Sequence, residues 1–207
     1  YTTATTNTVF TTTDWKGTSY YFAGAPTDNW VKFGGFYWRI VRVNGDGSVR
    51  LIYNGTSTTT TGTGTLINNG ATQAFNTSYD RSEYVGLKYT SGEQHGQTTD
   101  SPILNTLQSW YTSSNLDDYA DYIDTSVGFC SDRNVVSGDS WSSTNSHDYA
   151  AYGRIVQNKS PSLGCSSNDI ITEPVGLLTA DEVVFAGGVW GTANSSYYLH
   201  NNQDYWT

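Results

Sequence analysis

Phe36-Tyr37-Trp38-Arg39-Ile40-Val41-Arg42-Val43-Asn44-Gly45-Asp46-Gly47-Ser48-Val49-Arg50-Leu51-Ile52-Tyr53 reads as two strands about a turn. Both arms are rich in aromatic and β-branched residues and alternate with period two, with Arg39, Arg42 and Arg50 interrupting the apolar positions. Between them, Asn44-Gly45-Asp46-Gly47 supplies residues that accept positive φ at little cost, a strong short-range hairpin signal. Two shorter runs upstream, Ser19–Ala23 and Trp30–Phe33, add further strand signals.

Residues 1–13, YTTATTNTVFTTT, stand apart as a β-branched, nearly uncharged segment whose central apolar residues are Val9 and Phe10. Two readings stand: a frayed terminus, or a strand that needs a partner sheet. Residues 54–73 form a Thr/Gly-rich loop. Helix signals follow. Ser101-Pro102 places an N-cap before Pro at the first helical position, with Ile103, Leu104, Leu107, Trp110 and Tyr111 on one face. Leu116–Asp124 is expected to be a second helix, with Tyr119, Tyr122 and Ile123 inward and Asp117, Asp118, Asp121 and Asp124 outward. A third starts at Thr179, where Thr179 and Glu182 match a capping box and Gly187 supplies a stop. The remainder is Ser/Asn/Gly loop studded with aromatics. No alternation of strand and helix supports a parallel sheet, so the expected class is α+β. The expected organisation is an extended arm at 1–17 and a single domain at 18–207.

Charged residues make up 14% of the 207, against roughly 25% in an average soluble protein, and the net charge is −9. Thr, Ser, Asn and Gly fill the gap, a surface suited to life outside the cell. Without a Lys/Arg-rich run, nucleic acid and anionic membrane surfaces are disfavoured as partners. No stretch has the length and apolarity of a membrane-spanning helix. The chain contains no Met and begins at Tyr1, which reads as a processed product. Cys130 and Cys165 read best as one disulfide, which would contribute about 4 kcal/mol in the chain-entropy model; the alternative is two buried free thiols.

Several blocks together resemble an uncharacterised family of secreted or membrane-anchored surface proteins of low-GC Gram-positive and related bacteria. They are WRIVRVNGDGSVRLIYNG (38–55), AFNTSYDRSEYVGLKY (74–89), SGEQHG (91–96), LQSWY (107–111), FCSDRNV (129–135), AYGRIVQNKSPSLGC (151–165), EPVGLLTADEVVFAGGVWG (173–191) and SSYYLHNNQDYWT (195–207). Within them, GLLTADEVVFAGG (176–188) is similar to a helix segment of the formylglycine-generating-enzyme and C-type-lectin group. That likeness implies a C-type-lectin-like α+β fold of short antiparallel strands, two or three helices and long aromatic loops. Relatives in the first family continue past Tyr205-Trp206-Thr207 into further short strands. The resemblance therefore implies a sheet lacking a strand, whose open edge is a template for another chain.

Chemistry is sparse in the sequence. His95, His147 and His200 fall in no G-x-S-x-G or H-E-x-x-H frame and read as surface or loop residues. Formylglycine chemistry needs a reactive thiolate, and a bridged cysteine pair leaves none. The acidic run at 117–124 lacks the D-x-D-x-D-G spacing of a calcium loop. Glu83, Glu93, Glu173 and Glu182 are the glutamates available to a glycosidase, and Glu182 is explained as a cap. The expectation is a non-catalytic extracellular protein with no cofactor and no metal. It is read as the protomer of a surface filament, a homo-polymer assembled by strand exchange through Thr5, Thr6, Asn7, Thr8, Val9, Phe10 and Thr11. The alternative is a monomeric adhesin whose Trp141, Trp190, Asn194, Tyr197 and Tyr198 bind glycans.

Overall fold

The computed structural model of the chain describes residues 8–207. In chain order its elements are strands β1 (Val9–Asp14), β2 (Gly17–Phe22), β3 (Trp30–Phe33), β4 (Phe36–Val43), β5 (Val49–Tyr53), β6 (Lys88–Tyr89) and β7 (Thr99–Asp100). Helix α1 (Pro102–Ser113), strand β8 (Phe129–Cys130), helix α2 (Ala150–Tyr152), strand β9 (Ile170–Ile171) and helix α3 (Ala180–Ala186) follow. All strand pairs are antiparallel, and the class is α+β. The chain divides into two compact units where an arm and one domain were expected. The first runs to Ala71 and takes in Pro161–Gly164 and Ala180–Tyr205. The second holds Thr72–Ser160, Cys165–Thr179 and Trp206–Thr207.

The first unit is built on β4. It pairs with β5 along one edge, while its other edge is shared by β3 at Phe36–Arg39 and by β2 at Arg42–Val43. The hairpin read from the sequence is present, with the chain turning between Val43 and Val49. The β3–β4 turn is Gly34-Gly35, both at positive φ (56° and 83°), as a two-residue turn of the primed type requires. A register shift between Ile40 and Arg42 marks a bulge. The extra residue there puts Arg39 and Arg42, three apart, on one face of the sheet. Helix α3 covers the Tyr21 and Arg42 end of that face: Phe185 meets Tyr21 edge-on at 4.7 Å, and Tyr21 stacks on Phe10 at 5.7 Å. Each such buried side chain contributes about 1.5–3 kcal/mol.

The N-terminal segment differs from the expected donor arm. Val9, Phe10 and Thr11 lie in β1 and pair with Phe22, Tyr21 and Tyr20 of the same chain. Thr8 O accepts from Ala23 N at 2.9 Å. Phe10 is thus an anchor, but in its own core. Thr5, Thr6 and Asn7 lie outside the described residues.

In the second unit α1 is capped as expected. Ser101 Oγ accepts from Leu104 N, and Ile103, Leu104, Leu107 and Tyr111 are buried. The next segment departs from expectation. Leu116–Tyr122 is a 3-10 turn entered through Asn115 at φ 55° and broken at Tyr119. Leu116 is buried while Tyr119 and Tyr122 face solvent, Tyr122 being 81% exposed. The like charges of Asp117, Asp118 and Asp121 repel at helical spacing, and the 3-10 period turns the tyrosines outward. Cys130 and Cys165 are disulfide-bonded across 5.9 Å between Cα atoms. No helix among the described residues is long and apolar enough to cross a membrane.

Two hairpin turns of the first unit meet backbone to backbone. A Cβ at Gly45 would overlap the Gly17 amide nitrogen and lie 2.6 Å from Gly17 Cα, whereas Gly47, at φ 90°, has nothing within 4 Å. Urea unfolding should therefore show Gly45→Ala losing about 3 kcal/mol or more from overpacking. Gly47→Ala should lose only the left-handed strain of about 1–2 kcal/mol. Equal losses would mean the turns do not touch.

Candidate functional site

Charge is the first thing to place, because much of it is inside. In the first unit Arg42, 2% exposed, donates from Nε to Glu182 Oε1 and from Nη1 to Asp14 Oδ2, both at 2.9 Å. Arg50 Nε stands 3.8 Å from the same Glu182 oxygen. Burial draws the Arg50 guanidinium down to about 10, against the pull of Glu182. Asp14 also accepts from the amides of Lys16, Gly17 and Gly45, so one carboxylate closes the β1–β2 turn and holds the β4–β5 turn. The sequence assigned Glu182 to capping; its Oε1 is committed to the buried arginine.

The second unit has its own buried pair. Arg133 Nε donates to Asp169 Oδ1 at 2.9 Å, its backbone amide donates to Oδ2, and its Nη1 donates to the carbonyls of Lys88 and Gly96. His95 Nδ1 reaches the same Asp169 Oδ1 at 2.9 Å. His147 Nδ1 bonds Asp139 Oδ2 at 2.8 Å, and its side chain is 6% exposed. Both rings are therefore structural partners of carboxylates, one distant in sequence (Asp169) and one in the same loop (Asp139), not loose surface histidines. Lys88 Nζ bridges Asp100 (3.1 Å) and Glu173 (2.6 Å), and Gln108 Nε2 donates to the second oxygen of each at 3.2 Å. The bond to Glu173 holds the Lys88 amine above the usual lysine range. Among the described residues no group of three or more His, Cys, Asp or Glu side chains is placed to hold a metal ion.

The expected ligand residues are divided. Trp141 belongs to the second unit; Trp190, Asn194, Tyr197 and Tyr198 belong to the first. The last four sit in the loops after α3. Asn194 Nδ2 donates to Gly187 O at 2.7 Å and its Oδ1 accepts from Ser196 N, so this amide braces the loop. Tyr197 closes on Gly187, where an added Cβ would lie 2.8 Å from Tyr197 Cβ. Tyr198 N bonds Gly24 O, and burial pushes its phenol far above the usual range. On this braced base Trp190 is 64% exposed beside Val189 at 57%.

Residues that the sequence reading left out lie on the β3–β4 hairpin. The register Trp30↔Arg39 and Lys32↔Tyr37 puts all four on one face. Arg39 lies 4.2 Å from the Trp30 ring and 5.2 Å from the Tyr198 ring, and Lys32 lies 5.6 Å from the Tyr37 ring. The signal was available: a two-residue Gly-Gly turn fixes that register without further information.

No protein-family model, curated protein or solved structure matches the chain.

The His147–Asp139 pair gives a pH prediction. With Nδ1–H donating to Asp139, Nε2 accepts from Ser142 N–H at 3.0 Å; once protonated, it donates to Ser142 O at 3.2 Å. The bond from His147, then that from the Ser140 amide, holds the Asp139 carboxyl below the usual range. A depressed carboxyl contributes stability above its unfolded pKa and loses it as pH falls through the folded value. Carboxyl NMR titration should show the Asp139 midpoint moving up in His147→Ala. An unchanged midpoint would mean the pair is not formed in solution.

Proposed function

We propose that this chain is a non-catalytic extracellular recognition domain that binds glycans at a bacterial surface. The observation that carries the reading is Trp190. A large indole is held mostly in solvent on a loop whose base is braced by Asn194, Tyr197 and the Gly188 N to Val183 O bond (2.9 Å). An exposed indole on a rigid base is pre-organised for a ligand, and flat aromatic surfaces are what carbohydrate faces stack on. The disulfide and the small neutral polar surface favour an oxidising, extracellular setting. A C-type-lectin-like arrangement of the aromatic loops is the finer form of this proposal.

Strand-exchange polymerisation is less well supported. A donor strand has to be unsatisfied in its own molecule, and β1 is registered with β2 from Val9 to Asp14. The experiment is a glycan array with the full chain and Trp190→Ala, each checked for native circular dichroism. The expected outcome is saturable binding to a subset of glycans by a monomer, with at least a tenfold loss in the variant. Binding that survives the substitution, or filaments in place of monomer, would overturn the reading.

A further inference from the structure

We infer that the Trp30–Arg39 face of the β3–β4 hairpin is a binding site for a carboxylated sugar, an inference that rests on the glycan-recognition reading and names its ligand class. The chain has ten cations and a net charge of −9. Arg42, Arg50, Arg81, Lys88, Arg133 and Arg154 each face a carboxylate. Among the described residues, Lys16, Lys32, Arg39 and Lys159 form no salt bridge, and of these four Lys32 and Arg39 lie over aromatic rings. An acidic protein has many carboxylates with which to neutralise two cations, yet these two sit among rings.

The arrangement is built from the backbone outward. The Gly34-Gly35 turn sets Trp30 opposite Arg39 and Lys32 opposite Tyr37, so cation and ring alternate both along and across the strands. Same-face neighbours on a strand are about 7 Å apart. The Arg39 guanidinium is oriented by Nη2 donating to Pro26 O at 3.1 Å and by the rings of Trp30 and Tyr198. A guanidinium has five N–H donors, and this one bond leaves most of them for a ligand. Its planar fork matches a carboxylate in two parallel hydrogen bonds. The half-buried Trp30 and Tyr37 rings on the same face offer apolar surface against which a sugar ring can lie, and exposed Lys32 supplies a second charge. A polyphosphate chain fits less well: its affinity grows with the number of cations on the backbone, and two cations against a net charge of −9 give little.

The test is calorimetric titration of the full chain with an oligogalacturonate, with the same oligosaccharide methyl-esterified, with sialyl-lactose and with oligo(dT). A carboxylated sugar should bind, and which of the two does so assigns the source of the carboxylate. Esterification, Arg39→Gln and Lys32→Gln should each weaken binding, the first two at least tenfold, and added salt should weaken it further. Lys32 is exposed, so Lys32→Gln tests the site without risk to folding. If neutral glycans bind through Trp190 while esterification and both substitutions change nothing, this site is wrong and the recognition reading survives. If oligo(dT) binds more tightly than either sugar, the ligand is a nucleic acid and the inference falls. If no sugar of any kind binds, both fall.

Discussion

Arg42 lies inside the first unit with a carboxylate on either side, and the placement of β1 and α3 follows from it. One carboxylate, Asp14, ends β1; the other, Glu182, comes from α3, 140 residues away in sequence. Leaving one partner of a buried pair uncompensated costs about 3–5 kcal/mol, a large part of the 5–15 kcal/mol that stabilises a typical domain. The strand and the helix are therefore held to the sheet by charge as well as by Phe10 and Phe185. Asp14 has a second task, since the amides of Lys16, Gly17 and Gly45 close on it. The Gly17–Gly45 approach works because Gly45 has no Cβ to collide with the Gly17 backbone.

Arg133 plays a comparable part in the second unit, tying the 88–96 segment to Asp169 beside the disulfide-linked strand β8. This puts the low charged fraction in a different light. The few charges are not simply a thinly ionised surface, because several of them are interior fasteners. The cations that remain outside ion pairs are then informative, and Lys32 and Arg39 share one face with three rings.

What the sequence disclosed was local. The 36–53 hairpin, the Trp30–Phe33 strand, the Ser101 cap and the start of α3 follow from patterns within a few residues, and all are present. The disulfide expected from two cysteines in a Thr/Asn-rich acidic chain is also present. The bulge at Val41 was hidden because it breaks period two without a Gly or Pro to announce it, so Arg39 and Arg42 looked as though they faced opposite ways. The partners of the buried arginines were hidden because each carboxylate lies tens of residues away or more, and nothing in Asp14 or Glu182 marks one as a keystone or the other as more than a cap. His95 with Asp169 was missed for the same reason, while His147 and Asp139, eight residues apart, were missed because the loop between them has no regular period to read. Of the expected ligand residues, Asn194 and Tyr197 serve to brace the loop, while Trp190 keeps the exposure that a contact residue needs.

These contacts bear on function through β1. A strand whose last carboxylate neutralises a buried arginine cannot leave to fill a neighbour's sheet without stranding that charge. The first unit is then a self-sufficient platform that carries the exposed Trp190 and Lys32. The most direct test is residue-by-residue amide hydrogen exchange in dilute, monomeric protein. The amides of Val9–Asp14 that face β2 should exchange as slowly as those of Tyr20 and Tyr21 across the ladder. Exchange at unprotected-chain rates in the monomer, with protection gained only on self-association, would contradict the account.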